Sequence, residues 1–313
     1  MLKYIIKRSL WTIPTLIGVL VLLFSLTYFL PGDPATAMLG PRATPALVEE
    51  LNNRLHLDRP LPIRLGYYLV GVVKGDLGTS VWSGHKVSEL ILENLPHTIL
   101  LAFCSLGFAS LCGIFLGVFA SIHKKSKLGT AVGILSLVGV SIPDFVAALL
   151  LMLLFCIQFP LLPSLGAGAD GDILDIALHL VLPSLALAIT WIGYLARLNR
   201  QSMFEVLELD YIRTAKAYAI SGKTLFFRYA LKNAAIPSIA VMGMGMGKLL
   251  GGAVFIEIIF NRPGLGKMVV DAVYGRDLPV VQGGILIATL MFIITNLLAD
   301  IAYAYLDPKI QYD

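Results

Sequence analysis

The sequence predicts an all-α integral membrane protein with six transmembrane helices, on the basis of its composition and its long apolar segments. Of the 313 residues, 57% are hydrophobic and only 14% are charged, and the mean hydropathy is +0.82. Soluble domains average about 45–50% apolar and about 25% charged residues, so lipid must surround most of this chain. A span needs about 20 apolar residues to cross about 30 Å of hydrocarbon. Six segments meet that requirement: Ser9–Leu30, Thr98–Ile122, Ala131–Gln158, Ile176–Leu195, Ala234–Phe260 and Val280–Leu306.

The first of these segments resembles a signal peptide, because Lys3, Lys7 and Arg8 precede it. Its apolar stretch is longer than the about 7–15 residues of a signal sequence, and no A-x-A-like cleavage site follows it closely. We therefore interpret Ser9–Leu30 as a retained membrane anchor.

The distribution of basic residues predicts the orientation, because lysine and arginine concentrate in cytoplasmic loops. Phe159–Asp175, between the third and fourth spans, has three aspartates and no basic residue, whereas the loops on the other side are basic. We predict that both termini and the loop Ala196–Pro237 are cytoplasmic. Outside that loop, the deciding residues are Lys3, Lys7, Arg8, Lys124, Lys125, Lys127 and Lys309.

Three regions follow from this arrangement. Residues 1–30 hold the N-terminus and first span, residues 31–97 form an external helical loop, and residues 98–313 form a core of five spans. The core includes the polar loop at 196–237, which has two helix-forming stretches around Ser221-Gly222. A membrane protein has no reason to fold such a connection unless something docks there. Its basic residues are Arg197, Arg200, Arg213, Lys216, Lys223, Arg228 and Lys232.

The external loop also has helical patterns. Thr44 is a predicted N-cap, and Pro45 suits the first helical position. Leu47, Val48, Leu51 and Leu55 then fall on one helical face. A second apolar helix is expected through Tyr67-Tyr68-Leu69, ended by Gly75-Asp76-Leu77-Gly78.

Gly222-Lys223-Thr224 matches the end of the nucleotide-binding pattern G-x-x-x-x-G-K-[ST]. The first glycine of that pattern would be residue 217, which is alanine, and no apolar strand precedes the segment. The five histidines are scattered, and spacing suggests no partner for a serine or cysteine nucleophile. We predict no enzyme activity, cofactor, metal site or nucleic-acid partner for this chain.

Four charged residues lie within predicted spans, where charge usually faces a cavity or a partner. A lysine near the bilayer centre costs about 2.5–3.5 kcal/mol. Lys248 could contact an anionic substrate group, but a counter-ion role toward Asp144, Asp300 or another subunit is favoured. Glu257 lies two and a half helical turns after Lys248, so direct pairing is not expected. We treat all four as candidates for the translocation path or gate.

Proline and glycine residues indicate where the spans bend and pack. Pro143 and Pro183 are expected to kink the third and fourth spans. Gly243, Gly247 and Gly251 recur every four residues in the fifth span, a spacing that lets two helices approach closely. The partner helix could belong to this chain or to another one.

Taken in order, ten short motifs resemble those of binding-protein-dependent ABC transporter permeases of the dipeptide, oligopeptide and nickel subfamily. The resemblance extends over essentially all 313 residues, and the order of the motifs is more specific than any one of them. The motifs are Leu30–Ala35, Leu57–Leu61, Gly75–Ser80, Leu95–Thr98, Gly139–Pro143, Ala196–Leu198, Asp210–Ala215, Leu231–Ala234, Phe260–Gly266 and Leu306–Lys309.

The resemblance implies the MetI-like fold of type I importers, in which the loop 196–237 holds a coupling helix. This helix, the EAA motif, sits in a groove of the ATPase subunit. The family's glycine falls at Ala219, so Gly222 could form the break instead. The implied coupling residues are Asp210, Tyr211, Arg213, Thr214, Ala215, Ala219 and Gly222.

The resemblance also implies a second related permease, two ATPase subunits and an external solute-binding protein, in the plasma (inner) membrane of a bacterium or archaeon. A permease homodimer is the alternative to a related pair. The implied substrate is a di- or oligopeptide, with nickel or another metal chelate, glutathione and opines as alternatives.

Two hypotheses lie outside this class. A self-sufficient channel or secondary transporter predicts inverted repeats or a row of acidic residues. An intramembrane enzyme predicts a paired catalytic set within the spans. The sequence displays none of these patterns.

Overall fold

The computed structural model describes residues 2–28, 34–123 and 126–306, and these residues are mainly α-helical. Residues 29–33, Lys124, Lys125 and the Asp307–Lys309 part of the last motif lie outside the described residues. Two π-helical stretches, Leu153–Gln158 and Leu225–Ala230, follow α7 and α10 directly. The α-helices are α1 Leu2–Tyr28, α2 Pro34–Leu39, α3 Pro45–Leu55, α4 Leu61–Val73, α5 Val87–Ile122, α6 Lys127–Ser141, α7 Asp144–Met152, α8 Ile173–Leu207, α9 Asp210–Ala217, α10 Gly222–Thr224, α11 Leu231–Ala234, α12 Ile236–Ile259, α13 Leu265–Tyr274 and α14 Leu278–Leu306.

Among the described residues, four helical stretches are long and apolar enough to cross a membrane: Val87–Ile122, Ile173–Leu207, Gly222–Ile259 and Leu278–Ile301. A fifth candidate is the pair α6 and α7, if the pair is one bent span. Within α1, Leu10–Leu23 qualifies only as a shorter apolar helix. Five of the predicted spans thus have a long apolar counterpart, and the count of six stays a prediction.

The prolines act differently in the two spans that contain them. Lys127–Ser141 and Asp144–Gln158 meet at 104°, with Pro143 as the N-cap of α7. A proline at that position cannot donate the hydrogen bond that would continue α6. Pro183, by contrast, is buried within α8, which continues through it. The kink predicted in the third span is therefore a sharp break.

The chain forms two compact units. One comprises Leu2–Thr98 and Pro263–Ile293, and the other comprises Ile99–Arg262 and Ile294–Asp313. The larger unit has an apolar core built from α5, α7, α8 and α12, which includes the fully buried side chains Leu101, Leu187, Leu249 and Ile256.

The helices predicted in residues 31–97 are confirmed. Thr44 is the N-cap of α3, where its hydroxyl accepts a hydrogen bond from the Leu47 N–H. Leu51 is the buried residue on the apolar face of α3. The turn after α4 has Gly75 and Gly78 at positive φ, a conformation that glycine adopts at little cost.

The sequence analysis missed α13, which lies between the fifth and sixth predicted spans. The Thr98 hydroxyl accepts a hydrogen bond from the Leu265 N–H at 2.8 Å, at the first residue of this helix. The buried Asp277 carboxylate, in the turn after α13, accepts hydrogen bonds from the Ser80 hydroxyl at 2.5 Å and the Val81 N–H at 3.1 Å. Three of the motifs seen in the sequence therefore meet in one unit, although nearly 200 residues separate Ser80 from Asp277.

Candidate functional site

The helix α9 has one apolar face and one polar face. Ile212 and Ala215 are buried, whereas Asp210, Arg213 and Thr214 are exposed. Arg213 and Asp210 form an ion pair at 3.4 Å, with side chains 72% and 95% exposed. An exposed ion pair of this kind contributes at most about 1 kcal/mol to stability. Both charged groups therefore remain accessible on the surface of α9.

Beneath α9 lies a separate apolar cluster, which we call the loop cluster. It comprises Met203, Val206, Ile212, Ala215, Leu225, Ala230 and Ala234, with partly buried residues around them. These residues come from the end of α8, from α9 and from the helical turns that precede α12. The segment 203–234 therefore has a core of its own, so it can present α9 as a supported helix.

Tyr211 ties α9 to the helical turns on the other side of the loop. Its hydroxyl accepts a hydrogen bond from the Asn233 side-chain amide at 2.8 Å and donates one to the Tyr229 carbonyl at 3.3 Å. Asn233 belongs to the Leu231–Ala234 motif and Tyr211 to the Asp210–Ala215 motif. Two motifs of the sequence thus stabilise the same loop.

The helix α9 ends at the position where the family pattern has glycine. Ala219 adopts a left-handed conformation with φ of 54°. Its N–H donates to the Lys216 carbonyl at 3.0 Å, and the Ile220 N–H donates to the Ala215 carbonyl at 3.3 Å. These two bonds form a Schellman motif, which usually has glycine at the left-handed position. The bend therefore lies at Ala219, although its side chain disfavours that conformation.

Gly222 does not form the bend of the loop, the role that the sequence analysis considered for it. It is the first residue of α10, and the Ser221 hydroxyl caps that short helix by accepting from the Thr224 N–H. A phosphate-binding loop of the G-x-x-x-x-G-K-[ST] type follows a β-strand. Here the preceding element is instead the helix α9. Gly222 thus opens the second half of the loop, three residues after the bend.

Lys248 lies in the middle of α12 on an exposed face. Its side chain is exposed, as are Met244, Gly251 and Phe255 on the same side of the helix. Within the described part of the chain, Lys248 has no hydrogen bond or ion pair, and an added Cβ at Gly251 would meet no atom within 4 Å. Around Lys248 and Gly251 this face does not pack against the described part of the chain, whereas Phe255 contacts Phe145 of α7 with 6.3 Å between the ring centroids.

Glu257 and Arg262 are both fully buried at the end of α12. The Glu257 carbonyl accepts a hydrogen bond from the Arg262 N–H at 2.8 Å, closing the turn after the helix. Burial lowers the pKa of Arg262, which follows the span, and the nearby negative charge of Glu257 opposes that shift. The sequence analysis named Glu257 but missed Arg262, because the arginine lies beyond the apolar segment.

Asp144 is the first residue of α7, directly after the break between α6 and α7. The Thr190 hydroxyl donates to the Asp144 carboxylate at 2.7 Å, and Thr190 lies on α8. An added Cβ at Gly252 would be 3.6 Å from the other Asp144 carboxylate oxygen. The bend at Pro143 is therefore held against α8 and α12 by a half-buried carboxylate. Asp300, the fourth candidate, lies partly buried in α14. Among the described residues, none of Asp144, Glu257 and Asp300 forms an ion pair with Lys248.

The three regularly spaced glycines have different surroundings. An added Cβ at Gly243 would overlap with Ala299, so α12 and α14 approach closely there. Gly247 is buried, whereas Gly251 is exposed on the same face as Lys248. Close packing within this chain thus accounts for Gly243, and the open space at Gly251 leaves room for a helix from elsewhere.

Comparison with known proteins identifies the class of transporter. The family model described as binding-protein-dependent transport system inner membrane component matches residues 113–312. The model for the N-terminal region of such components matches residues 1–102. The chain belongs to this family. It is therefore a multi-pass permease of an ABC importer, a transport subunit that works with other components of such a system.

Full-length relatives agree with this assignment. The permease is 39% identical over 312 residues to a glutathione transport system permease protein of Pectobacterium atrosepticum, with all of both chains covered. It is 36% identical over 333 residues to a dipeptide transport system permease protein of Alkalihalophilus pseudofirmus, again over all of both chains.

Solved structures confirm the MetI-like fold. The inward-facing methionine ABC transporter MetNI aligns with a TM-score of 0.58 and 15% identity, covering 70% of this permease and 96% of that chain. An amino acid ABC transporter aligns with a TM-score of 0.53 at the same identity, covering 70% and 94%. At this identity the likeness concerns the fold alone.

Proposed function

We propose that this permease imports a di- or oligopeptide into the cytoplasm, driven by ATP hydrolysis in separate ATPase subunits that dock on α9. The observation that carries the proposal is the exposed polar face of α9, supported from below by the loop cluster. A rigid helix on its own core can transmit a displacement to α8 and α12, because both are continuous with the loop that holds it.

The energetic argument requires such a docking site. Reversing an inward-facing majority, from roughly 1:99 to 99:1, takes about 5.5 kcal/mol of differential interaction. We assign that energy to a pair of ATPases, with a second related permease completing the pathway and an external solute-binding protein delivering the substrate. Both termini of the permease and the loop 196–237 are then cytoplasmic, in agreement with the basic loops.

The α9 surface can be tested by uptake assays in vesicles that contain the whole transporter. We expect Arg213→Ala to reduce uptake at least tenfold and deletion of Asp210–Gly222 to abolish it, while the permease still inserts into the membrane. Arg228→Ala, an exposed arginine on the same loop outside α9, is the matched control. Normal uptake by the deletion variant would refute the docking assignment, as would purification of the intact permease without any ATPase.

The substrate class rests on the relatives. Those named above transport glutathione and dipeptides, and both are short peptides with a free carboxylate. We therefore favour short peptides over nickel or other metal chelates and opines. A thermal-shift screen of the cognate binding protein should give stabilisation by di- and tripeptides. Stabilisation by metal chelates or opines alone would exclude peptides as the substrate.

Lys248 is assigned to the pathway on the open face of α12. A lysine at the bilayer centre costs about 2.5–3.5 kcal/mol, and here no group in the described part of the chain pairs with it. We assign the compensating group to a molecule outside this chain, either a carboxylate of the partner permease or one of the passing peptide. Gly251 and Phe255 on the same face would lie against that partner.

A further inference from the structure

A slot on the surface of the larger unit combines apolar walls with two arginines at one end. It consists of two adjoining cavities of about 280 and about 170 Å³, which share Val132 and Ser136. Ala120 of α5 lines the first cavity and Leu116, one helical turn earlier, lines the second. The slot therefore follows α5, α6 and α8 along the direction of the helices.

The two ends of the slot differ in chemistry. One end is lined by Thr130, Arg197 and Arg200. The other end is apolar, with Leu116 and Ile189 among its lining residues. From Arg200 back to Ile189, α8 rises about 16 Å at about 1.5 Å per residue. That length is close to half of the about 30 Å hydrocarbon thickness, which is the depth of one leaflet.

The Arg200 side chain contacts Gly133 of α6 and Phe204 of α8. An added Cβ at Gly133 would be 2.9 Å from an Arg200 guanidinium nitrogen, so the guanidinium lies directly against α6 at this glycine. The guanidinium also lies over the Phe204 ring, 5.5 Å from its centroid. Its Nε is buried and has no hydrogen-bond partner in the described part of the chain. Since the guanidinium forms no hydrogen bond in the described part of the chain, its terminal nitrogens keep donor capacity for a ligand in the slot.

We propose that this slot binds an anionic phospholipid, with the phosphate on Arg197 and Arg200 and an acyl chain along the apolar walls. Arginine forms paired hydrogen bonds with phosphate oxygens, and basic pockets between membrane helices on the cytoplasmic side bind anionic headgroups. A free phosphate ion would use the arginines but not the walls. In the proposed orientation, the arginine end of the slot faces the cytoplasmic leaflet.

Native mass spectrometry of the purified transporter tests the site, with dioleoylphosphatidylglycerol, dioleoylphosphatidylcholine and inorganic phosphate as separate probes. We expect phosphatidylglycerol to remain bound and the other two probes to be lost. In Arg197→Gln/Arg200→Gln, bound phosphatidylglycerol should fall at least fivefold. Arg59→Gln/Lys74→Gln removes the same charge from exposed residues of the other unit and should bind as the unaltered protein does.

A second variant separates the slot from the charge. Val132 lines both cavities, so Val132→Phe should obstruct the acyl chain and lower phosphatidylglycerol binding while both arginines remain. Equal retention of phosphatidylcholine, unchanged binding in the arginine variant, or retention of phosphate alone would each overturn the proposal. So would efficient crosslinking of a cysteine at Ile134 to the partner permease, because a partner helix would then fill the slot.

Discussion

The helices α9 and α12 both carry charged residues, but their charges have different surroundings. In α9, Asp210 and Arg213 are exposed and form only a long ion pair above an apolar cluster. In α12, Lys248 is exposed at the middle of an apolar helix, and Glu257 is fully buried near Arg262.

The difference shows that the surroundings of a charged residue, in water, in lipid or in the protein core, indicate its role better than its presence in the sequence does. An exposed charge in water costs little, so the residues of α9 can serve a contact surface without compensation. A charge in hydrocarbon or in a core requires a partner. For Glu257 the nearby charge is Arg262, whereas the partner proposed for Lys248 lies outside this chain.

The largest effect on stability is expected from Glu257→Gln. Glu257→Gln removes the negative charge that opposes the desolvation of the fully buried Arg262, and leaving a buried polar group uncompensated costs about 1–3 kcal/mol, or more when the group is charged. The melting temperature of the detergent-solubilised permease should fall sharply, whereas Asp210→Asn on α9 should leave it unchanged. The double variant Glu257→Gln/Arg262→Met should recover part of the loss. A double variant less stable than the single one would show that the two charges do not compensate each other.

Lys248→Leu should improve insertion and impair transport. On insertion scales, replacing lysine by leucine at the centre of a helix gains about 3–4 kcal/mol, so the amount of protein in the membrane should not decrease. Uptake should fall at least tenfold, because the charge proposed to face the pathway is lost. Met244→Leu, one turn earlier on the same face, is the control. Full uptake by Lys248→Leu would place this lysine outside the pathway.

Two glycine substitutions separate the packed and open faces of α12. Gly243→Leu should destabilise the permease by about 1–3 kcal/mol, because its Cβ would overlap with Ala299. Gly251→Leu should leave the melting temperature of the isolated permease unchanged or raise it slightly, since leucine favours helix more than glycine does. It should instead reduce co-purification of the second permease. Equal melting temperatures for the two variants would contradict the assignment of the faces.

The smallest effect is expected at the end of α9. A left-handed alanine costs roughly 1–2 kcal/mol, so Ala219→Gly should stabilise the loop by about 1 kcal/mol. Ala217→Gly, at the last residue of α9, should instead destabilise the loop, by up to about 1 kcal/mol. Hydrogen exchange of the α9 amides would measure both changes. Faster exchange in Ala219→Gly would mean that the loop bends elsewhere in solution.

Much of the fold could be read from the chain, because local signals fixed it. Long apolar stretches predicted five of the helical segments, and Thr44-Pro45 predicted the start of α3. The bend in the third span followed from Pro143, although the sequence gives no measure of its 104° angle. The helix α13 was missed because it is short and follows a turn at Asn261, which takes a positive φ.

Some features of the candidate site could likewise be predicted from the sequence, and others only from the tertiary structure. The sequence by itself predicted two helix-forming stretches between two spans, and the resemblance to ABC permeases implied the bend position at Ala219. Only the tertiary structure decided that Ile212 and Ala215 face the loop cluster, that Arg262 lies near Glu257 and that Lys248 faces away from the rest of the chain. Helical periodicity defines which residues share a face, but the face that is buried depends on neighbours contributed by distant parts of the chain. The direction of a charge is therefore a property of the assembled helices, and no single helix specifies it.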